Sequence, residues 1–301
     1  MQLSTTIDIP KSSFLIAPDD KVTLIGSCFS DSIGEKLTQS GFNVTVNPFG
    51  TLYNPESIAN ILLQTVEGNG YKADDDTVFM SNDGVWHSWM HHSKFSSHSC
   101  EELLEKINDT FETARAALCG SDVLIVTFGT SVIYRLREND MLVANCHKQP
   151  DSLFTRTRLD TTRICSLWDD VLNKLHTLNP QLKVIFTVSP IRHKRDGMHA
   201  NNVSKGILLQ AVDDLTGTGL FHERHHHNNE MTTQYFPSYE IMVDELRDYR
   251  FYAEDMVHPS PLAVEYIWER FQDTYFTNKT KEVVRLRHKE WVRSQHRQIV
   301  G

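Results

Sequence analysis

Residues 24–30 read LIGSCFS, in which a glycine breaks an apolar run and a Ser-Cys pair follows. The run at residues 22–25 has the length of a buried strand, and residues 31–39 have the pattern of a helix. Gly26 allows a sharp turn between the two elements. The turn therefore delivers the Ser-Cys pair to a helix start, which is a common way to present a nucleophile.

The helix start has a chemical consequence for Cys28. Free N–H groups and a partial positive charge at a helix N-terminus favour the thiolate, which is the reactive form of cysteine. The alternative is a buried structural thiol beside a strand–helix turn, because free cysteines are among the most buried residues.

The composition indicates one large domain, or one domain with insertions. The chain has 301 residues, of which 40% are hydrophobic and 23% are charged, which is ample for a packed core. The net charge is -9 and no basic block stands out, so the charge pattern of a nucleic-acid-binding protein is missing. No apolar run approaches the roughly 18 residues of a membrane span. The N-terminus has no signal-peptide pattern, so a cytoplasmic location is the default expectation.

Apolar runs of strand length alternate with segments of helix length. Strands are predicted at residues 22–25, 43–46, 123–128 and 183–188, and helices at residues 31–39, 55–65, 100–118, 161–178, 202–215 and 262–271. The near-continuous apolar runs of the last two strands are typical of parallel strands covered on both faces. We therefore expect an α/β fold, a three-layer α/β/α sandwich with a mainly parallel central sheet.

Three segments depart from this alternation. Residues 71–98 are rich in aromatic and His residues, and we interpret them as an insertion that either lines a pocket or packs its own aromatic rings. Residues 216–238 are interpreted as a long loop, in which the tract at residues 225–227 with His222 is either metal-binding or simply solvated. Residues 276–301 form a charged tail, expected as a helix on the surface or against a partner.

The cysteines indicate neither a disulfide framework nor a zinc knuckle. There are five, at irregular spacings and without a C-x-x-C pair, and an odd number does not suit a fully paired scaffold.

Polar segments follow each of the four predicted strands. They are residues 26–28, 47–51, 129–131 and 189–193. The carboxyl ends of parallel strands meet at one edge of the sheet, where α/β proteins bind ligands. Asp255 and His258 add a carboxylate and an imidazole three positions apart, so that the Asp could orient the ring. The alternative is a helix N-cap Asp with a surface His nearby.

The motif at residues 26–30 resembles the signature of the GSCFA family, with Ser30 in place of its final Ala. The resemblance runs from about residue 14 to residue 271. It includes FGTS at 128–131, NCHKQP at 145–150, SPIRH at 189–193, FPSYE at 236–240 and DMVHPS at 255–260. The family is similar to a branch of the SGNH/GDSL hydrolase superfamily. The resemblance therefore implies an SGNH-hydrolase-like, flavodoxin-like fold for residues 1–275.

The resemblance also implies the catalytic residues. The superfamily's Gly-Asp-Ser motif falls on residues 26–28, which puts Cys28 where the nucleophilic Ser normally stands. Its Asp-x-x-His motif falls intact on Asp255 and His258. Ser27 as the nucleophile, with Cys28 structural, is the alternative.

The oxyanion-binding residues follow from the same resemblance, with one departure. The superfamily's single oxyanion glycine falls on Gly50. Its Gly-x-Asn-Asp motif falls on residues 129–132, so that Gly129 is kept and Ser131 replaces the oxyanion-binding Asn. Thr130, Ser131 or Asn145 are the candidates to replace it.

These assignments imply an esterase or acyltransferase-type hydrolase that acts on ester or thioester bonds through an acyl-enzyme. Cys28 attacks the carbonyl with help from His258. His147, Arg192 and His193 are candidates for binding a polar or anionic part of the substrate, or are structural residues. No metal or organic cofactor is required. The expected partner is a small-molecule or glycan ester, neither nucleic acid nor membrane, and the oligomeric state is left open.

Two other functions remain as alternatives. The first is a non-catalytic carbohydrate- or ligand-binding protein on a degenerate hydrolase fold, which the replaced Asn favours and the intact Asp255–His258 pair disfavours. The second is a metal hydrolase that uses Asp255, His258, His193 and His147, although ligand spacings such as H-E-x-x-H are absent from the sequence.

Overall fold

A computed structural model describes residues 5–68, 70–73, 75–217 and 231–299. Its strands are β1 (Lys21–Gly26), β2 (Asn43–Val46), β3 (Val78–Met80), β4 (Trp86–Ser88), β5 (Val123–Phe128), β6 (Val132–Leu136), β7 (Leu142–Val143), β8 (Phe154–Arg158), β9 (Lys183–Val188) and β10 (Thr232–Phe236). Its helices are α1 (Cys28–Gln39), α2 (Pro55–Glu67), α3 (Cys100–Gly120), α4 (Thr161–Leu178), α5 (Met198–Thr216), α6 (Ser238–Glu240), α7 (Pro261–Tyr275) and α8 (Asn278–Ile299).

The central sheet has five parallel strands in the order β2-β1-β5-β9-β10. Counted along the chain, this is the flavodoxin-like order 2-1-3-4-5, whose switch point lies between the first and third strands. Here those strands are β1 and β5, and their carboxyl ends lie next to each other. The fold therefore puts the loops after β1 and β5 at the edge where such sheets bind ligands.

Helices cover both faces of the sheet, and β5 shows why. Leu124 and Val126 join the apolar cluster formed with α2, α3, α4 and α5, whereas Val123 and Ile125 join the cluster formed with α1 and α7. Successive side chains of a strand point to opposite faces, so a strand buried on both sides must be apolar throughout. The predicted α/β/α sandwich with a parallel central sheet is confirmed.

Two small antiparallel sheets lie outside the central sheet. Strands β3 and β4 form a hairpin within residues 71–98, where Phe79 stacks on Trp89 with ring centroids 3.6 Å apart. This segment does pack its own aromatic rings. The sheet β7-β6-β8 was not predicted, because β6 and β8 are only partly buried and β7 has only two residues.

The expected long loop at residues 216–238 is wrong at its C-terminal end. Residues 232–236 form β10, which pairs with β9 at the edge of the sheet. An edge strand has one neighbour and is partly exposed, so its sequence TTQYF lacks the continuous apolar run of a central strand. Residues 218–230, with His222 and the tract at residues 225–227, lie outside the described residues.

The charged tail forms α8, which docks on its own domain. Val284 is buried in the cluster of α1 and α7, and the Arg287 guanidinium donates to the carbonyl of Pro18 at 2.7 Å. None of the described helices is long and apolar enough to span a membrane.

Gly26 is required by the close approach of β1 and β5. Its φ is 140°, and a Cβ atom there would lie 2.2 Å from the carbonyl oxygen of Thr127. No side chain fits in that space, so the turn into α1 depends on glycine.

We expect Gly26→Ala to lower the free energy of unfolding by about 2–4 kcal/mol, since a backbone strain of roughly 1–3 kcal/mol adds to a clash of similar size. Urea unfolding measures this. The control is Gly206→Ala in α5, where a Cβ meets nothing within 4 Å and should stabilise by about 0.5–1 kcal/mol. Equal effects of the two substitutions would contradict this account of Gly26.

Candidate active site

Cys28 is the first residue of α1 and sits at the carboxyl end of β1. The thiol is half-buried, and its Sγ lies 3.7 Å from Nε2 of His258. Burial, followed by the charge of Asp31, raises the pKa of Cys28, although the amides of the first helical turn and the charge of Lys205 lower it. The expected thiolate-favouring effect of the helix is therefore present but outweighed, and the thiol needs a base to become a nucleophile.

His258 is held by Asp255 in a tight loop. Oδ2 of Asp255 lies 2.5 Å from Nδ1 of His258, and Oδ1 accepts the N–H groups of Val257 and His258 at 2.9 and 3.0 Å. These hydrogen bonds hold the pKa of Asp255 well below its usual range. An ionised Asp255 keeps the proton on Nδ1, so that Nε2 faces the thiol as an acceptor.

Arg192 fastens the loop that carries this pair. Its backbone N–H donates to the carbonyl of Val257 at 3.2 Å, and its guanidinium donates to the carbonyl of Met256 at 2.6 Å. The guanidinium also lies 4.0 Å from the ring centroid of Tyr252. Met256 has a φ of 57°, so the clamp holds a loop that contains a left-handed residue.

Ser27 and Cys28 differ sharply in environment. Ser27 is 1% exposed, and its hydroxyl caps α1 by accepting the N–H of Phe29 at 3.3 Å. Its own N–H donates to the carbonyl of Thr127 at 3.1 Å. Of the two neighbours, only Cys28 faces His258 in the structure.

The expected oxyanion donors already have partners within the protein. The N–H of Gly50 donates to the carbonyl of Asn47 at 2.8 Å. The hydroxyls of Thr130 and Ser131 each lie 3.0 Å from the hydroxyl of Ser204 on α5. Gly129 lies at the site, and its backbone packs closely against that of Tyr53. A Cβ atom at Gly129 would lie 2.9 Å from the carbonyl oxygen of Tyr53.

Asn145 and His147 follow β7 and pack against the insertion that contains β3 and β4. The Oδ1 of Asn145 accepts the N–H of His147 at 2.9 Å, and Nε2 of His147 lies 2.7 Å from the carbonyl oxygen of Ser88. Burial lowers the pKa of His147 to about 4, so its ring is neutral at pH 7. The structure shows no contact of either side chain with Cys28 or His258.

His193 and Tyr53 lie beside Gly129 at the site. The place that a Cβ of Gly129 would occupy is 3.4 Å from Nε2 of His193, and the rings of His193 and Tyr53 meet edge to face at 6.0 Å. Burial and then the charge of Lys205 lower the pKa of His193 to about 4. A neutral imidazole and a phenol therefore lie at this edge of the site, and sequence reasoning had not picked out Tyr53.

Lys205 is the second residue that sequence reasoning missed. It is 1% exposed, and its ammonium donates to the carbonyls of Gly129 and Ser189, each at 2.6 Å. The signal was present in the sequence, since Lys205 shares a helical face with the buried Leu208 and Val212.

The positions of the His, Cys, Asp and Glu side chains give no support to the metal-site interpretation. Within the described ranges, no group of three or more His, Cys, Asp and Glu residues is placed to hold a metal ion. The ring of His147 in particular is bound to the Ser88 carbonyl of the insertion.

The GSCFA family model matches residues 21–271, which include the Ser-Cys turn and the Asp255–His258 loop. The chain belongs to the GSCFA family. The resemblance at residues 26–30 is thus confirmed. Comparison of this GSCFA chain with curated proteins finds no match.

Three solved structures similar to the GSCFA chain are esterases. A carbohydrate esterase family 2 enzyme with a carbohydrate binding domain from Corynascus thermopiles (Myceliophthora fergusii) is 9% identical, with a TM-score of 0.40 and coverage of 91% of this chain and 68% of that one. A family two carbohydrate esterase from Clostridium thermocellum in complex with cellohexaose is 10% identical, with a TM-score of 0.36 and coverage of 88% and 65%. An acetyl xylan esterase from the rumen bacterium Butyrivibrio proteoclasticus is 13% identical, with a TM-score of 0.35 and coverage of 89% and 64%. The GSCFA chain therefore spans 64–68% of the length of these proteins.

We expect Arg192→Ala to lower the free energy of unfolding by about 1–3 kcal/mol, the usual contribution of hydrogen bonds made by a charged group. Chemical denaturation measures it. The control, Arg250→Ala, removes a side chain that is 73% exposed and should change stability by less than about 0.5 kcal/mol. If Arg192→Ala keeps wild-type stability but binds substrate more weakly, Arg192 binds the substrate and does not fasten the loop.

Proposed function

We propose that this protein is a cysteine-dependent esterase or acyltransferase that acts through Cys28, His258 and Asp255. One observation carries the proposal: Sγ of Cys28 lies 3.7 Å from Nε2 of His258, whose Nδ1 lies 2.5 Å from Oδ2 of Asp255. This linear order of nucleophile, base and orienting carboxylate is the arrangement that acyl transfer needs.

The acylation step follows from this order. Nε2 of His258 takes the thiol proton while Sγ of Cys28 forms a bond to the substrate carbonyl carbon, and the carbonyl electron pair moves to oxygen. The tetrahedral intermediate then expels the alcohol or thiol, which leaves with the proton from His258. A thioester acyl-enzyme remains on Cys28.

Deacylation uses the same groups in reverse order. His258 takes a proton from water or from an acceptor alcohol as the oxygen attacks the thioester carbonyl. Collapse breaks the carbon–sulfur bond, and the proton returns from His258 to the thiolate. Water gives an acid and an alcohol acceptor gives a new ester, so the acceptor distinguishes an esterase from an acyltransferase.

Two kinds of donor support the oxyanion in this proposal. The N–H of Cys28 lies in the first turn of α1, where a helix has no carbonyl four residues earlier to bind, and it carries the helix's partial positive charge. Tyr53 supplies a side-chain donor at the same edge, in place of the missing Asn, whereas the single N–H of the neutral His193 ring is bound to the backbone of Gly129. Gly50, Thr130 and Ser131 are already occupied by protein partners.

The proposed substrate is a small-molecule or glycan ester, or a thioester. His258 and Asp255 have side chains that are 48% and 49% exposed, so the reacting end of the site is open to solvent. An open site accommodates an ester on a large acceptor, because the bulk of the acceptor stays outside.

A non-catalytic ligand-binding protein is the second candidate. The observation that favours it is the engagement of Ser131, which stands at the position of the superfamily's oxyanion Asn, with Ser204. Loss of one oxyanion donor costs about 2.7–4 kcal/mol in transition-state stabilisation, which a binding protein would tolerate.

We expect Cys28→Ala and His258→Ala each to reduce hydrolysis of short-chain and long-chain p-nitrophenyl esters and of a thioester by about 10²-fold or more. Ser27→Ala should keep the activity and lose about 1 kcal/mol of stability, because it removes a helix cap. Initial rates and urea unfolding measure the two effects.

The matched control is Cys119→Ala, which removes an exposed thiol and should leave the rates unchanged. If Ser27→Ala loses activity while it keeps wild-type stability, Ser27 and not Cys28 is the nucleophile. Absence of turnover by the wild type on all these substrates would favour the binding protein.

A further inference from the structure

Lys205 has an unusual environment for a lysine. It lies in α5 and is 1% exposed, whereas lysines are almost never fully buried unless they are paired. Within the part of the chain that the structure describes, no carboxylate forms an ion pair with it. Its contacts are the carbonyls of Gly129 and Ser189, each at 2.6 Å, and the ring of Tyr239 at 5.7 Å.

The two carbonyls belong to the loops that build the site. Gly129 directly follows β5 and Ser189 directly follows β9. The N–H of Gly129 donates to the carbonyl of Tyr53, and Ser189 begins the segment that leads to Arg192 and His193. A single ammonium therefore ties together the backbone behind the side chains that surround Cys28.

Hydrogen bonding alone does not account for a charge in this position. Burial of a charge without a counter-ion is costly, and well-packed apolar residues often replace buried charges without loss of stability. A methionine has the shape to fill the same space. The stability of the fold therefore does not explain the positive charge, which points to a role in the chemistry of the site.

Cys28 is the group on which the Lys205 charge can act, because its thiolate is an anion. The charge of Lys205 lowers the pKa of Cys28, and Cys28 in turn raises that of Lys205. The titratable groups that face Lys205 are Cys28 from α1, His193 from the loop before α5 and Tyr239 from α6. The pKa of His193 is lowered, so Cys28 and its reaction intermediates are the negative charge on this side.

We propose that Lys205 is a positioning residue that fixes the ends of β5 and β9 behind the site and stabilises the negative charge that develops during attack by Cys28. The inference rests on the proposed function. No bond to Lys205 forms or breaks in the reaction. As His258 removes the thiol proton, negative charge passes from Sγ to the carbonyl oxygen, and the buried ammonium lowers the energy of both anionic states because the surroundings screen it weakly.

A dependence on pH follows from this role. Burial lowers the pKa of Lys205 to about 7. A lysine is charged below its pKa and neutral above it, so its contribution is present under acidic conditions and fades as the pH rises through about 7.

The test compares Lys205→Met, which removes the charge and keeps the volume, with Lys205→Arg, which keeps a charge. The readouts are kcat/KM and the rate at which iodoacetamide alkylates Cys28 at pH 6.5, resolved by peptide mass spectrometry. We expect Lys205→Met to lower both rates by about tenfold, the effect of one pKa unit, and Lys205→Arg to restore most of the loss. Cys119, an exposed thiol, is the internal control and should react unchanged.

Lys36→Met on α1 is the matched control variant, because it removes a partly exposed lysine that pairs with Glu265. It should leave alkylation of Cys28 within twofold of wild type. If Lys205→Met does not fold, alkylation of Cys28 in His258→Ala between pH 6 and 10 decides, because this variant lacks the imidazole next to Sγ. A second ionisation near 7, in addition to that of the thiol, then supports the proposal.

Wild-type alkylation of Cys28 in a folded Lys205→Met variant overturns the proposal, as does a single thiol ionisation in His258→Ala. The alkylation readout needs no substrate. Lys205-dependent alkylation without any turnover would therefore refute the proposed catalysis while supporting the electrostatic link, so the two failures are distinguishable.

Discussion

The close approach of β1 and β5 at Gly26 is the constraint on which the site depends. The backbone of Gly26 lies against Thr127, and Ser27 donates its N–H to the Thr127 carbonyl. The N–H of Gly26 is in turn bound by the side chain of Asn47 at 2.9 Å, and its carbonyl accepts from Leu52 at 2.9 Å. One glycine thus joins the nucleophile turn, β5 and the loop after β2, so a shift at this residue displaces each of them.

The electrostatics of the site combine a thiol kept protonated at rest with charges placed for the reaction. Burial raises the pKa of Cys28 despite the helix N-terminus, so the thiol is protonated at rest. In the proposed mechanism, the base His258 is oriented by the half-exposed Asp255, and the buried Lys205 ammonium faces the resulting anion. The proton would then leave on the open side of the site, and the charge would be stabilised on the buried side.

Features of the structure that depend on neighbouring residues could be predicted from the sequence. The strands at residues 43–46, 123–128 and 183–188 were predicted with the observed bounds. The edge strand at residues 43–46 could be recognised as a short β-branched run. The other two are central strands covered on both faces, which must be apolar along their length. Strand β10 was missed because a partly exposed edge strand is under no such requirement. The spacing of Asp255 and His258 predicted their contact, since three residues of loop bring both side chains together.

Contacts between residues that are distant in the chain could not be predicted from local sequence patterns. The turn that occupies the N–H of Gly50 and the hydroxyl of Ser204 that binds Thr130 and Ser131 depend on the packed loops. The expected roles of Asn145 and His147 came from a motif that the structure packs against the insertion. Lys205 could be recognised as a charge on an apolar helix face, but its two carbonyl partners come from different strands.

Identification of the acylated residue decides whether Cys28 is the nucleophile. Wild-type protein is mixed with p-nitrophenyl acetate, quenched in acid within the first turnovers and digested, and the acetylated peptide is located by mass spectrometry. We expect one acetyl group on Cys28 that hydroxylamine removes, as expected for a thioester, and none in His258→Ala. Acetyl on the Ser27 hydroxyl, or ester turnover that leaves Cys28 unmodified and persists in Cys28→Ala, would contradict this expectation.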